Sequence, residues 1–327
     1  MATVKAVRVH ETGGPEVLRY EDLELPGVGE GQVRVRQHAI GVNFIDTYHR
    51  SGLYALEDLP RVIGQEAAGV VEEVGFGVAD FAVGDRVAYA TAGPGSYTQA
   101  RVLAADKLVP VPAAVSFEQA AAVLLQGMSV EYLVRRNFEV QAGMTVLLHA
   151  AAGGLGLIAC RWLDHLGATV IGTVSSEAKA ELARAHGCHH TIIYTQEDFV
   201  ARVRELTQGR GVRVVYDSVG KDTFLRSMDC LQRRGMLVGC GNASGTPEPF
   251  DPLMLARKGS LFLTRPTLFD YVATREELLD SAAAVFALVE QGVIEAEPRH
   301  RYALEDARSC HEDLEARRTA GSIILEP

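Results

Sequence analysis

Three patterns of apolar and polar positions follow one another along the chain. Up to about residue 115, short alternating or apolar runs recur at Val4–Val9, Gln32–His38, Ala67–Val74, Arg86–Tyr89 and Gln99–Val102. Gly and Pro punctuate them, as in Gly13-Gly14-Pro15, Pro26-Gly27, Gly84-Asp85 and Gly93-Pro94-Gly95. A period of two sends successive side chains to opposite faces, so closely spaced runs with turn residues between them predict short strands in a sandwich or barrel. Ser116, with Gln119 able to reach back, predicts a helix start. Apolar strands then alternate with helices. Strands are expected at Thr145–His149, Ala168–Val174, Thr191–Tyr194, Val212–Asp217, Met236–Cys240 and Leu261–Thr264. Helices are expected at Gly153–Leu166, Glu177–His186, Glu197–Gln208 and Thr223–Arg234, the first three stopped by Gly167, Gly187 and Gly209. This alternation means βαβ units and a parallel sheet buried on both faces. From about Pro266, a capping box at Thr274 and Glu277 opens a helix running to Gly292. A second helix is expected over Leu304–Arg318, and a short strand at Ile323–Leu325.

The 327 residues are enough for two domains, and 47% apolar with 23% charged residues is ordinary for a globular chain. No stretch approaches the roughly 20 apolar residues of a membrane span. Met1 to His10 alternates and lacks the apolar run of a signal peptide, so a cytoplasmic location is expected. The net charge of −10 argues against binding a phosphate backbone as the main task. Cys160, Cys188, Cys230, Cys240 and Cys310 are scattered and never spaced C-x-x-C, which argues against a disulfide framework or a clustered zinc site. The ten histidines form no metal signature.

The segment His149-Ala-Ala-Ala-Gly-Gly-Leu-Gly156 follows an expected strand and opens an expected helix. Read as G-x-G-x-x-G, its three positions are Ala151, Gly153 and Gly156. The second needs no side chain, so that a pyrophosphate can approach the backbone, and the third lets helix and strand pack closely. The helix start from Ala152 through Gly153, Gly154, Leu155 and Gly156 then offers N–H groups and a partial positive charge to the phosphates of a dinucleotide. An NAD site usually carries Asp or Glu at the end of the second strand. Here Val174 is followed by Ser175 and Ser176. Lys179 could pair with a 2′-phosphate and Tyr194 could hydrogen-bond to it, whereas Glu177 is discordant. The cofactor expected is NADPH.

These residues point to a family. Gly64-x-Glu66-Ala-Ala-Gly69, Val83-Gly84-Asp85-Arg86-Val87 and the glycine loop, in this order and at these distances, resemble the medium-chain dehydrogenase/reductase superfamily. Asn43-Phe-Ile-Asp46-Thr-Tyr48, Arg50-Ser-Gly-Leu-Tyr54, Val215-Tyr-Asp217-Ser-Val-Gly220, Cys230-Leu-Gln-Arg-Arg-Gly235 and Gly241-Asn242-x-Ser244-Gly245 narrow this to the zinc-free, zeta-crystallin-like quinone oxidoreductases. The resemblance covers essentially the whole chain. It implies an α/β fold: a Rossmann doubly wound parallel sheet over residues 126–265, and a GroES-like β-rich catalytic domain over 1–125 completed by 266–327. The cofactor is expected in the cleft between them, and a homodimer joined through the Rossmann domains.

By the same resemblance, Asn43 orients the nicotinamide or substrate, and Tyr48 and Tyr54 donate to, or stack on, the substrate. Asp46 and Gln65 hold the loop. Ser129, Gly241 and Asn242 lie by the nicotinamide, its ribose or the phosphates, and Arg317 reaches the cofactor from the C-terminal lobe. Gln126 stands where close relatives often carry Lys. The superfamily's zinc enzymes place a Cys near the present Asn43 and a His at the present Gln65, and cluster four cysteines in the first domain, whereas no Cys precedes Cys160 here. Both zinc sites are expected to be absent. The function implied is NADPH-dependent, zinc-independent reduction of quinones. Reduction of α,β-unsaturated carbonyls or enoyl thioesters is an alternative, and a crystallin-like structural or RNA-binding role a second one.

Overall fold

The computed structural model describes residues 2–327; Met1, at the head of the segment read above as lacking a leader, lies outside them. In chain order the strands are β1 (Thr3–Val9), β2 (Leu18–Glu24), β3 (Gln32–Val42), β4 (Arg61–Val62), β5 (Glu66–Val74), β6 (Arg86–Tyr89), β7 (Ala100–Ala104), β8 (Val109–Pro110), β9 (Thr145–Leu148), β10 (Thr169–Val174), β11 (His190–Ile193), β12 (Val212–Asp217), β13 (Leu231–Gly239), β14 (Phe262–Thr264), β15 (His300–Ala303) and β16 (Ile323–Glu326). The helices are α1 (Phe44–Ser51), α2 (Phe117–Glu131), α3 (Gly154–His165), α4 (Glu177–Ala185), α5 (Phe199–Leu206), α6 (Phe224–Ser227), α7 (Leu253–Arg257), α8 (Leu268–Tyr271), α9 (Arg275–Glu290) and α10 (Ala307–Glu315). None is long and apolar enough to cross a membrane.

The chain forms two compact units: one runs up to Met128 and takes in Val272–Pro327, the other is Ser129–Tyr271. In the first, β3 is the organising strand. It pairs antiparallel with β5, β7 and β16, in a sheet ordered β15-β16-β3-β5-β6-β8 with β7 alongside β3. Alternate residues Val33, Val35, Val71 and Val87 are fully buried with Ile40 and Leu325, giving the apolar face that the period of two demanded. The returning segment therefore supplies part of the sheet. A second sheet, β2-β1-β4, packs its Val7 and Val9 into the same core. Helix α2 starts with the expected box: Ser116 N–H donates to Gln119 Oε1 at 2.9 Å, and Gln119 N–H to Ser116 Oγ at 3.1 Å.

The second unit is a six-stranded sheet, β11-β10-β9-β12-β13-β14, parallel throughout. In order of appearance these are the third, second, first, fourth, fifth and sixth strands, the doubly wound arrangement of a Rossmann fold. Leu147, Ile171, Val215 and Leu237 fill its core, with Phe199 and Phe224 from the helices covering it. The order reverses between β9 and β12, and there the carboxyl ends of the strands open a crevice.

One expected element is corrected. The helix foreseen over Thr223–Arg234 stops at Ser227, passes through a 3-10 turn to Cys230, and becomes strand β13 from Leu231. Leu231 pairs with Val212, so the long parallel ladder outweighs the helical spacing of the segment. The helix expected over Leu304–Arg318 is likewise shorter, a 3-10 turn and then α10.

Candidate active site

Helix α1 is unusual in what it buries. Asp46, Thr47, Tyr48, His49 and Arg50 are all buried, so most of its inward face is polar. Asp46 Oδ2 accepts from the Asn43 N–H at 2.8 Å and caps the helix. The Asn43 side chain completes the capping box with Asp46 and has further partners. Its Nδ2 donates to Glu66 Oε1 at 2.6 Å and its Oδ1 accepts from Gln126 Nε2 at 2.9 Å. Glu66 Oε2 accepts from the Leu125 N–H at 2.7 Å. A Cβ at Gly41, opposite Glu66 across the β3–β5 ladder, would overlap this carboxylate and Ala121 O, which explains the glycine. Burial pushes the Glu66 carboxyl up to about 8, against the pull of the Asn43 and Leu125 hydrogen bonds and with help from the Asp46 charge. Burial likewise raises Asp46 to about 7.

A second buried chain ends on Asp46. Arg50, almost wholly enclosed, places Nη1 3.0 Å from His311 Nδ1 and Nη2 2.7 Å from Glu315 Oε1. A guanidinium only donates, so His311 Nδ1 accepts and its proton sits on Nε2. That N–H donates to Tyr97 Oη at 2.9 Å, and the Tyr97 hydroxyl donates to Asp46 Oδ2 at 3.1 Å. From Arg50 Nη1 through His311 and Tyr97, each donor points toward Asp46. Burial and the Arg50 charge hold His311 down to about 3, so it stays neutral. Beside α1, the Tyr48 and Tyr54 rings meet edge to face at 5.2 Å, and the Tyr54 N–H donates to Tyr48 O. Tyr48 and Tyr54 are thus in contact, and Asn43 opens the helix that carries Tyr48.

In the second unit, the turn after β9 places Ala150 at φ 53° and Gly153 as the extended residue before α3. A Cβ at Gly156 would overlap Ala150 O, and one at Gly153 would approach it to 3.3 Å. The helical ladder begins with Leu157 N–H to Gly153 O, so the N–H groups of Gly154, Leu155 and Gly156 precede it. Ala152 lies in the turn itself. At the end of β10, Ser175 precedes Ser176, whose Oγ accepts from the Lys179 N–H and caps α4. Tyr194 donates its N–H to Val174 O at the end of the neighbouring strand. Ser175 and Tyr194 therefore follow the carboxyl ends of neighbouring strands, and Lys179 lies in the first turn of the helix after Ser175. Glu177, the discordant acid, is turned along its own helix to Arg184 at 2.5 Å. Gly241 lies against Ser218, where a Cβ would come within 2.6 Å of the carbonyl oxygen, and Asn242 follows it. A backbone cradle where helix and strand approach without side chains fits the phosphates of a dinucleotide.

Ser129 sits on α2, three residues beyond Gln126 and hence on the same side of the helix. Arg317 follows α10 in the left-handed region at φ 60° and is exposed. Glu66 and the Arg50–His311–Tyr97 chain were not singled out from sequence, although Gly64-x-Glu66 marked the place. Under the strands, the buried His149 ring bridges Thr173 Oγ1 and Ser227 Oγ, each at 2.9 Å, and Ser227 Oγ donates to Asp217 Oδ2. Among the described residues, no group of three or more His, Cys, Asp or Glu could hold a metal ion.

Two stretches of the chain match known families. Residues 29–113 match the family model described as alcohol dehydrogenase GroES-like domain, and residues 154–281 the one described as zinc-binding dehydrogenase. The chain is 52% identical to a quinone oxidoreductase of Pseudomonas aeruginosa, over 99% of each. It is 46% identical to a 2-haloacrylate reductase of a Burkholderia species, again over 99% of each. The crystal structure of Escherichia coli quinone oxidoreductase complexed with NADPH superposes with a TM-score of 0.97, at 48% identity over the whole of both chains.

Proposed function

The chain belongs to the quinone oxidoreductase family of the medium-chain dehydrogenases/reductases, and from that premise we propose that it reduces quinones with NADPH by hydride transfer. The observation that carries this reading is the full-length match, at TM-score 0.97, to a quinone oxidoreductase crystallised with NADPH. The glycine turn, and the absence of an acid directly after Val174 at the end of β10, support the same cofactor. Gly153, Gly154, Leu155 and Gly156, with Ala152 in the turn, would hold the pyrophosphate. Ser175, Lys179 and Tyr194 would hold the 2′-phosphate. Ser129, Gly241, Asn242 and Arg317 would flank the rest of the cofactor.

Bound NADPH supplies the hydride. The protein's task is to orient the acceptor and to stabilise charge on its oxygen. Asn43, whose amide is fixed between Glu66 and Gln126, is the orienting group. Tyr48 and Tyr54 would donate hydrogen bonds to the developing oxyanion. Quinones are electrophilic enough for side-chain donors to suffice, and at the positions of the superfamily's zinc ligands this chain offers Asn43 and Gln65, poor ligands for zinc.

The test is loss of NADPH absorbance with a panel of small quinones, after exhaustive chelation. Turnover with NADPH, and much weaker turnover with NADH, is expected. No oxidation across the panel would overturn the proposal. A second reading has its own support, the 46% identity to a 2-haloacrylate reductase. Hydride added to the β-carbon of a conjugated acid needs the same donors, and faster turnover of 2-haloacrylates or enones than of quinones would select it. We also propose that the protein is a homodimer joined along β14, the edge strand of the parallel sheet. Its Phe262 is 57% exposed.

A further inference from the structure

One buried polar chain joins three strand ends of the parallel sheet. His149 follows β9, and its N–H donates to Tyr216 O on β12. Its ring is enclosed, edge to face against Phe199 at 5.1 Å. Nδ1 lies 2.9 Å from Thr173 Oγ1 on β10, and Nε2 lies 2.9 Å from Ser227 Oγ at the end of α6. Ser227 Oγ is in turn 2.8 Å from Asp217 Oδ2, at the end of β12. The acceptors fix the direction of the chain. Asp217 Oδ1 accepts from Val219 N–H, Gly220 N–H and Thr223 Oγ1, at 3.0, 3.0 and 2.8 Å. Besides the His149 ring, the Ser227 hydroxyl faces Asp217 Oδ2 and Thr223 O, which only accept. Were it to donate to His149 instead, the carboxylate oxygen would meet its lone pairs at 2.8 Å. Ser227 Oγ therefore accepts from His149, whose proton sits on Nε2, and Nδ1 accepts from Thr173. Burial keeps the ring neutral, against the pull of the Asp217 charge.

Both ends of this chain hold backbone. On one side the glycine turn springs from His149: Ala151 N–H donates to Thr173 O, and Gly153 N–H to Ala150 O. On the other, Asp217 holds Val219 and Gly220 in a loop that is zipped to a second loop. Ala243 N–H donates to Ser218 O, Ser244 N–H to Val219 O, and Lys221 N–H to Gly245 O. The Ser244 hydroxyl donates to Val219 O as well, at 2.8 Å. That second loop carries Gly241 and Asn242. Ser227 is the spacer between the two sides. Across it, His149 Nε2 and Asp217 Oδ2 are 3.9 Å apart. That is about 1 Å more than a direct hydrogen bond spans.

We propose that Ser227 and Asp217 are positioning residues. With the His149 ring as their strut, they set the distance from the glycine turn to the paired loops 218–221 and 241–245, and so the place at which a dinucleotide held by its pyrophosphate presents its nicotinamide. The link to the nicotinamide rests on the reading of the glycine turn and of Gly241 and Asn242 as cofactor-binding. The spacing itself does not. Ser227→Ala leaves a buried N–H and a buried carboxylate oxygen facing each other, each short of a partner. They regain a hydrogen bond by closing the gap, which draws loop and turn together by about 1 Å. A displacement of that size slows a positioned reaction by up to about a hundredfold.

Single-turnover oxidation of NADPH by a small quinone tests this. In Ser227→Ala it should slow by about ten- to a hundredfold. The Kd for 2′,5′-ADP, which carries only the adenosine half of the cofactor, should stay within about twofold. A rate within about threefold of the wild type overturns the proposal. So does a Kd for 2′,5′-ADP that rises in step with the loss of rate, because a general loosening of the sheet acts on both. Should Ser227→Ala fail to fold, Ser227→Cys takes its place: a thiol bridges weakly, and the same step should slow by about three- to tenfold. Two further readouts need no quinone. In the wild type, the ring nitrogen signals of His149 should report a neutral imidazole protonated at Nε2, and a proton on Nδ1 would refute the chain. In Ser227→Ala, Asp217 is drawn off its loop, so the amide protons of Val219 and Gly220 should exchange with solvent faster than in the wild type. Unchanged exchange would show that Ser227 braces nothing. Failure of the wild type to oxidise NADPH with any quinone would instead sink the functional reading, and the ring signals and amide exchange would still decide the spacing.

Discussion

At the scale of single residues, charge decides two outcomes. Lys179 sits in the first turn of α4, the helix that follows Ser175 at the end of β10. Lys179→Glu would set a carboxylate against a 2′-phosphate, so the KM for NADPH should rise by about tenfold or more while that for NADH stays within about threefold. Equal losses for the two cofactors would show that Lys179 does not read the phosphate. Glu66 ties stability to pH. Its folded value of about 8 lies above the ordinary 4.5, so the folded state binds the proton more tightly. The stabilisation is complete below about pH 4.5 and disappears as pH climbs through 8. Asp46 acts in the same direction up to about 7, and His311, held down to about 3, acts in the opposite direction on the acid side. From about pH 7 to about pH 9, unfolding by urea should therefore become easier by about 1–1.5 kcal/mol, and Glu66→Gln should abolish most of that slope. A variant that keeps the full slope would place the titrating group elsewhere.

Elements differ in how much of them a one-dimensional pattern exposes. The doubly wound sheet was legible because β9, β10 and β12 are apolar on both faces and α3, α4 and α5 end at or near glycines, so local and global preferences agree. Helix α1 escaped because its inward face carries Asp46, His49 and Arg50, which hydrophobic spacing reads as exposed. β2 escaped for a related reason: Leu18–Glu24 is largely exposed and is held by its register with β1. The glycine turn was legible, and its geometry makes a sharp demand. Gly156→Ala would press a methyl group onto Ala150 O, in a turn already holding Ala150 at φ 53°. Separation of α3 from β9 should cost about 1–3 kcal/mol in thermal or urea unfolding, and NADPH affinity should fall with it. Unchanged stability together with unchanged affinity would mean that the turn has slack the structure does not show. The partners of Asn43 were out of reach of sequence because Glu66 and Gln126 lie far apart along the chain and meet through the packing of β5, α1 and α2.

At the scale of the whole molecule, the two units present different edges. In the first unit the returning segment builds β16 onto β3 and sends His311 and Glu315 to Arg50, so the far end of the chain completes the sheet that carries Asn43. In the second, the sheet stops at β14, a three-residue strand whose Phe262 is more than half exposed. An uncovered parallel-sheet edge with an aromatic residue on it is a pairing liability unless another strand or a second subunit covers it. A second copy, turned about a twofold axis, would set β14 against its own counterpart and bury both phenylalanines in a self-complementary contact. The net charge of −10 on each chain opposes that association, so it should weaken at low salt and strengthen as salt screens the repulsion. Phe262→Lys puts a like charge on both sides of the axis and removes the apolar contact. Sedimentation should then show a dimer for the wild type and a monomer for the variant at the same concentration, with far-ultraviolet circular dichroism unchanged. A dimer that survives the substitution, or a wild type that sediments as a monomer at every salt concentration, would assign the exposed phenylalanine to something other than self-association.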